Sequence, residues 1–176
     1  MGDGTEVTGG VAERARREAD PYRGDNPRPL GGYLVVLGIY GLLVTLTAVV
    51  AAATGRRLPE CWSAQDLLTV TLGTHKLSRV LTKDAVTSPL RAPFTRYAGG
   101  PAELHEETRR DSPLRHSLGE LVTCPFCLDM WVATAFVIGL IFAPRFTRLV
   151  AGCFTALAGA DFLQLAHATA QQAAEG

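Results

Sequence analysis

Neither sign of charge is in excess in this 176-residue sequence, which has 17 lysines and arginines and 17 aspartates and glutamates. That balance excludes the basic footprint of a nucleic-acid-binding protein. Four cysteines are too few for a small secreted domain held together by disulfides. The sequence also lacks a nucleophile with an accompanying base, an HExxH motif, a P-loop and a dinucleotide-binding fingerprint. We therefore expect a protein that is not an enzyme.

What the sequence does contain is long apolar stretches. Most of the charge lies in residues 1–29 and 83–120, whereas residues 30–53 carry none. At ~1.5 Å per residue a helix over residues 30–53 is about 36 Å long, enough to cross a hydrocarbon core of ~30 Å. The alternative, a cleaved signal peptide, is disfavoured because such peptides have an apolar region of only ~7–15 residues. Residues 121–143 and 146–168 form two further apolar segments, and the short link between them predicts a helical hairpin.

Residues 64–83 are apolar at helical spacing but contain three basic side chains near their middle, so they either span the membrane or lie flat on it. The positive-inside rule favours spanning. If residues 64–83 span, the arginines of the N-terminal segment and those of residues 84–120 fall on one side of the membrane. If they lie flat, most of the basic residues fall on the outer side, against the rule.

These observations predict an all-α fold, an integral membrane bundle of four transmembrane helices with both termini in the cytoplasm. Residues 101–110, acidic and then basic, indicate a solvated helix. The predicted organisation is a disordered basic tail at 1–29, a membrane domain at 30–168 with spans 30–53, 64–83, 121–143 and 146–168, a cytoplasmic Pro/Arg loop at 84–120, and a C-terminal tail at 169–176.

Two motifs resemble a known family. They are HKLSRVLTKDAVTSPLRAPFTRY at residues 75–97 and HSLGELVTCPFCLDMWVAT at residues 116–134. Together they resemble the bacterial membrane-protein family called domain of unknown function 1360, over roughly residues 33–165. The resemblance implies a small multi-pass protein of the bacterial inner membrane, with some relatives linked to sporulation. It implies no established activity.

Five ionisable residues fall at similar depths in three of the predicted spans: His75, Lys76, Arg79, Asp129 and Asp161. Unpaired charges in hydrocarbon are costly, so we expect these residues to face the bundle interior and to pair. In particular, Asp161 is predicted to contact Lys76 or Arg79. A structural ion-pair network is the first interpretation, and a proton or ion pathway is the alternative.

The predicted loop supplies cations and aromatic side chains suited to the membrane interface. Its candidates for binding lipid headgroups or other anions are Lys83, Arg91 and Arg96. Anionic lipids are therefore expected partners.

The CPFC motif places Cys124 and Cys127 at the start of a predicted span. Three interpretations of the motif are open: close structural packing, a reversible dithiol, or a zinc site completed by His116 and His105. No cofactor is predicted, with zinc as the alternative. Ser117 and Glu120 match a capping box, which would start the helix there; otherwise Cys124 is the cap.

The resulting functional prediction is a structural or interaction role, as a scaffold or partner subunit, in contact with the lipid bilayer and with another membrane protein or a second copy of the chain. Two alternatives remain open. One is a small transporter or ion pathway that uses the intramembrane charges. The other is a thiol-redox or metal-binding protein that uses the CPFC motif.

Overall fold

The computed structural model of the chain describes residues 13–14, 17–18, 21, 28–56, 58–99 and 104–175, so most of the predicted N-terminal tail lies outside the described residues. The helices are α1 (Leu30–Ala53), α2 (Ala64–Lys83), α3 (Ser88–Arg91), α4 (Pro113–Thr123), α5 (Pro125–Phe142) and α6 (Pro144–Glu175). A 3-10 turn, Ala85–Thr87, precedes α3, and the strands β1 (Thr95–Gly99) and β2 (His105–Thr108) form a hairpin between α3 and α4.

Three of these helices, α1, α5 and α6, are long and apolar enough to cross a membrane. The predicted predominance of helix is therefore confirmed, and three candidate spans are shown. α2 occupies the predicted residues, but its basic side chains make it too polar to count as a candidate span by composition. α6 has 32 residues and, at ~1.5 Å per residue, is about 48 Å long, so it extends beyond a bilayer core.

The two C-terminal candidate spans differ from their predicted limits. α5 begins at Pro125, not Leu121, because Cys124 has an extended backbone and its sulfur accepts the N–H of Cys127. Proline suits the first helical position, where its missing N–H has no intrahelical partner. α6 begins at Pro144 and continues to Glu175, through most of the predicted tail.

The capping-box prediction at Ser117 is wrong. α4 begins at Pro113, and its cap is Ser112, whose side chain accepts the N–H of Arg115. Ser117 is therefore in the second turn of the helix, where its hydroxyl is buried and donates to the Pro113 carbonyl. Ser112 lacks the Glu or Gln of a capping box, but it precedes Pro113, and proline at the first helical position is itself a start signal.

The fold is not entirely helical, because residues predicted as a solvated helix contribute β2. Its burial alternates: Glu106 and Thr108 face inward, whereas His105 and Glu107 are exposed. β2 pairs with β1 in antiparallel register, with Thr95 opposite Thr108 and Tyr97 opposite Glu106. Hydropathy does not predict an inward position for a charged residue such as Glu106. The alternation of inward and outward residues that is typical of a strand was therefore not visible in the sequence.

α2 packs between α5 and α6. Val132, Phe136 and Ala151 form the buried core, and Val70, Leu77 and Leu81 of α2 pack against it. The approach of α2 to α6 is close at one glycine: a Cβ on Gly73 would lie 3.1 Å from the Ala151 carbonyl oxygen. Small residues allow such close helix contacts in membranes.

Candidate functional site

Two ion pairs join α2 to α6 at different levels. Near the helix starts, Arg148 donates through Nε and Nη2 to the two oxygens of Asp66, at 2.8 and 2.9 Å. Further along, Lys76 Nζ donates to Asp161 Oδ2 at 2.6 Å. From the first pair to the second, the residue number increases on both helices, so α2 and α6 run parallel. α2 therefore lies alongside a candidate span over at least ten of its residues.

The other members of the predicted charge cluster have different surroundings. His75 is exposed, and its ring stacks on Phe162 of α6 with the centroids 6.3 Å apart. Asp129 is half-buried on α5, and its Oδ1 is a buried atom without a hydrogen-bond partner. Arg79 is half-buried on α2 and has an interaction partner. The structure thus brings Lys76 and Asp161 together and places His75 at the outer surface of the bundle.

Arg91 is buried, contrary to its predicted role at lipid headgroups. Its side chain is 1% exposed, and its Nε and Nη2 donate to the two oxygens of Glu106 at 2.9 and 3.0 Å. Its remaining donors bind the Leu81 and Asp84 carbonyls and the Thr87 hydroxyl. All five N–H groups of a guanidinium are thereby used. Arg91 joins the end of α2 to β2 and has no donor left for a lipid phosphate.

The other two headgroup candidates have no such network in the described part of the chain. Arg96 is exposed on β1, opposite Glu107 of β2. Lys83 is half-buried at the last position of α2, and its carbonyl accepts the N–H of Leu104. Binding of anionic lipid by these two cations stays a prediction.

α1 is attached to the rest of the bundle at two points. At its start, Gly32 packs so tightly on α4 that an added Cβ would collide with the Ser117 hydroxyl and the Pro113 carbonyl. One residue later, the Tyr33 hydroxyl donates to Glu120. Two turns further on, Tyr40 is hydrogen-bonded to Thr134 at 2.9 Å and packs edge-on against Trp131, with the ring centroids 5.3 Å apart.

A cavity of about 670 Å³ lies between these two attachments, a size typical of small-molecule sites. Its α1 wall is the face formed by Tyr33, Val36, Leu37 and Tyr40, at the i, i+3, i+4, i+7 spacing of one helix side. The opposite wall comes from α4 and α5, and the remaining lining residues are Arg28, Ser117, Glu120, Leu121, Thr123, Cys124, Phe126, Cys127, Met130 and Trp131.

Polar groups gather at one end of this cavity. Glu120 accepts from Tyr33 and lies 3.5 Å from His116 Nε2. Arg28 lines the same end and is close enough to Tyr33 to interact with its hydroxyl. The cavity is therefore apolar along its length and carries one cation and one carboxylate at its end.

Both cysteines of the CPFC motif line this cavity as free thiols, with Cys127 exposed. Cys124 acts as the cap of α5, which matches the alternative capping interpretation. The four zinc candidates are not assembled: His116 faces Glu120, and His105 is exposed on β2. Within the described ranges no group of three or more His, Cys, Asp or Glu side chains is arranged to hold a metal ion.

The sequence gives no sign that Glu120 and Arg28 line a cavity. Its local patterns indicate a helix cap for Glu120 and a basic tail for Arg28. A signal was nevertheless present in α1, where Tyr33 and Tyr40 are seven residues apart on one face. Aromatic residues with polar tips often mark contacts between two helices.

Within the described residues, these features define a helical membrane protein with three candidate spans and a small cap, formed by α3, the β1–β2 hairpin and α4. The family model described as Protein of unknown function (DUF1360) matches residues 68–167, and the chain belongs to this family. The match begins well after residue 33, where the resemblance was expected to start, so α1 lies outside it. No curated protein and no solved structure matches the chain.

Proposed function

We propose that the chain is a four-span membrane protein with a structural role, a partner subunit that packs on a transmembrane helix of another protein. The contact surface is a polar face formed by Thr71, His75, Lys76 and Asp161 on α2 and α6. One observation supports this role most directly. Thr71 and His75 are exposed on α2, and the Asp161 side chain, 47% exposed, lies on α6, a helix apolar enough to span.

The energetic reason is the surroundings of this polar face. Asp161 is 17 residues from the start of α6, about 25 Å along the helix at ~1.5 Å per residue. A charged group within the hydrocarbon core is costly, by up to ~2.5–3.5 kcal/mol at the bilayer centre on insertion scales. The ion pair with Lys76 offsets part of that cost, yet it leaves His75 and one side of the carboxylate facing outward. A neighbouring helix with polar side chains would cover them, as is common between membrane helices.

Spanning by α2 is part of the proposal, and its parallel course beside α6 supports it. A helix lying flat on the membrane surface would cross α6 at a large angle, and pairs at two levels would not form. With α2 spanning, the positive-inside rule puts the cap and both chain termini in the cytoplasm.

Site-specific photocrosslinking in native membranes tests the proposed contact. A photoreactive residue at Thr71 should give a protein adduct of defined mass, whereas one at Leu46, an exposed residue of α1, should give lipid adducts. The adduct at Thr71 should be lost when His75 is replaced by Leu and retained in the control variant Thr45→Leu. Lipid adducts at both positions would contradict the proposal. An adduct that contains a second copy of the chain would show that the partner is the chain itself and not another protein.

An ion pathway is the second candidate, because two buried oxygens, Thr74 Oγ1 and Asp129 Oδ1, have no hydrogen-bond partner. Purified protein in liposomes under a pH gradient distinguishes the two functions. A partner subunit should give no proton flux above that of empty liposomes. A flux that disappears in the variant Asp129→Asn, with insertion unchanged, would favour the pathway.

A further inference from the structure

The cavity beside α1 is open to one side and lies between two contacts of that helix. Gly32 and Tyr33 contact α4 at one end, and Tyr40 contacts α5 at the other. Tyr33 and Tyr40 are seven residues apart, about 10 Å along the helix at ~1.5 Å per residue. Between them Val36 and Leu37 face the other wall without filling the space.

This cavity borders the bilayer, because two of its walls belong to α1 and α5, which are both candidate spans. Lipid chains are the most abundant apolar molecules there. Phe126, which is 86% exposed, lines the cavity and extends its apolar surface outward. The space therefore suits an acyl chain that enters from the side.

The charges at the end of the cavity restrict which headgroup fits. Arg28 offers a guanidinium, which binds phosphate through paired hydrogen bonds. Glu120 offers a carboxylate with about four lone-pair positions, of which the Tyr33 hydroxyl occupies one, and His116 Nε2 lies 3.5 Å away. The remaining positions can accept N–H groups. A phosphate and a primary ammonium a few bonds apart would satisfy both residues.

We propose that this cavity binds a phospholipid with a zwitterionic ethanolamine headgroup. The phosphate lies at Arg28, the ammonium donates to Glu120, and one acyl chain lies along Val36 and Leu37. A phosphatidylglycerol has no cation for Glu120, and a phosphatidylcholine has a quaternary ammonium without N–H donors. The proposal requires α1 and α5 to lie in the bilayer and does not depend on the partner at the polar face.

Native mass spectrometry of the full chain tests the headgroup. Phosphatidylethanolamine, phosphatidylcholine and phosphatidylglycerol with identical acyl chains are supplied at equal concentration. Wild-type protein should retain phosphatidylethanolamine roughly tenfold over phosphatidylcholine, the effect of one hydrogen bond to a charged group. Glu120→Gln should remove this preference, and Arg28→Gln should lower retention of all three lipids. The controls Glu60→Gln and Arg145→Gln, away from the cavity, should behave as wild type.

A second measurement uses the native thiol of Cys127, which lines the cavity and is exposed. Added phosphatidylethanolamine should slow its alkylation relative to that of Cys61, which lies in the loop between α1 and α2. Leu37→Trp should fill the cavity and abolish this protection, whereas Leu34→Trp, outside the lining, should preserve it. Equal retention of the three lipids, or alkylation of Cys127 unaffected by lipid, would overturn the proposal.

Discussion

Lys76 and Asp161, on α2 and α6, form an ion pair with Nζ and Oδ2 2.6 Å apart. The Lys76 side chain is 19% exposed and that of Asp161 47%. The pair joins the most polar long helix to the longest one at a level where a lone charge would be expensive. It is one of the contacts that hold α2, which is too polar to be a candidate span, beside α6, which is one.

A double-mutant cycle should detect this pairing. Asp161→Leu leaves the Lys76 ammonium unpaired, so we expect it to destabilise the protein in detergent more than Lys76→Leu combined with Asp161→Leu does. The coupling free energy should be about 1–3 kcal/mol. Thermal or denaturant unfolding of the four proteins of the cycle measures it. Additive effects of the two substitutions would show that the pair does not hold the helices together.

The second pair between the same helices, Asp66 with Arg148, provides a matched comparison. Its Arg148 side chain is 57% exposed near the start of α6, where solvent screens the attraction. We expect the equivalent cycle, Asp66→Leu with Arg148→Leu, to give a much smaller coupling than the Lys76–Asp161 cycle in the same unfolding measurement.

Substitution of Arg91 should unfold the cap. Arg91→Gln leaves Glu106 buried without its cation, which typically costs about 3–5 kcal/mol. Arg91→Lys keeps the charge but cannot reproduce five donors in a planar fork, so it should recover only a minor part of this loss. Hydrogen exchange of the β1 and β2 amides reports the effect. Arg96→Lys, on the exposed face of the same hairpin, should leave exchange unchanged; protection retained in Arg91→Gln would refute the structural role.

The attachment of α1 can be tested at adjacent glycines. Gly32→Val should push α1 away from α4, because the new side chain collides with Ser117 and the Pro113 carbonyl, at a cost of about 1–3 kcal/mol. The same substitution at Gly31 is the control, because a Cβ added there would have no atom of another element within 4 Å. In a Trp62→Phe background, the fluorescence of Trp131 reports its contact with Tyr40. We expect a change in emission for Gly32→Val, and equal spectra for both variants would contradict the tight contact.

The extent of α1 and α2 was predictable because their signals are local. An uninterrupted apolar run defines Leu30–Ala53, and the helical spacing of apolar residues defines α2; both signals act within one element. The pairing of Lys76 with Asp161 was predicted by counting residues along the two helices, on the assumption that residues 64–83 cross the membrane.

The buried Arg91 and the cavity were not predictable, because both depend on contacts between distant segments. Arg91 resembled an interfacial cation until the hairpin placed Glu106 against it, and a single arginine in a Pro-rich loop gives no local signal for burial. Similarly, the network at Glu120 exists only because α1 packs on α4, and Glu120 is 87 residues from Tyr33. Hydropathy and spacing describe one element at a time, so they miss such pairs.

The state of the CPFC thiols is the remaining prediction. Cys124 and Cys127 lie at the start of α5, which the proposed four-span topology places at the cytoplasmic boundary. Cytoplasmic reductants keep thiols free, so both cysteines should be reduced in the cell. Cells are quenched in acid, alkylated and digested, and the peptide containing both residues is weighed by mass spectrometry. Two alkyl groups on this peptide are expected. As a control for the trapping, the same cells treated with a membrane-permeant oxidant before quenching should yield the peptide with fewer labels. A disulfide found in untreated cells would reverse the orientation assigned to this boundary and favour a redox role for the pair.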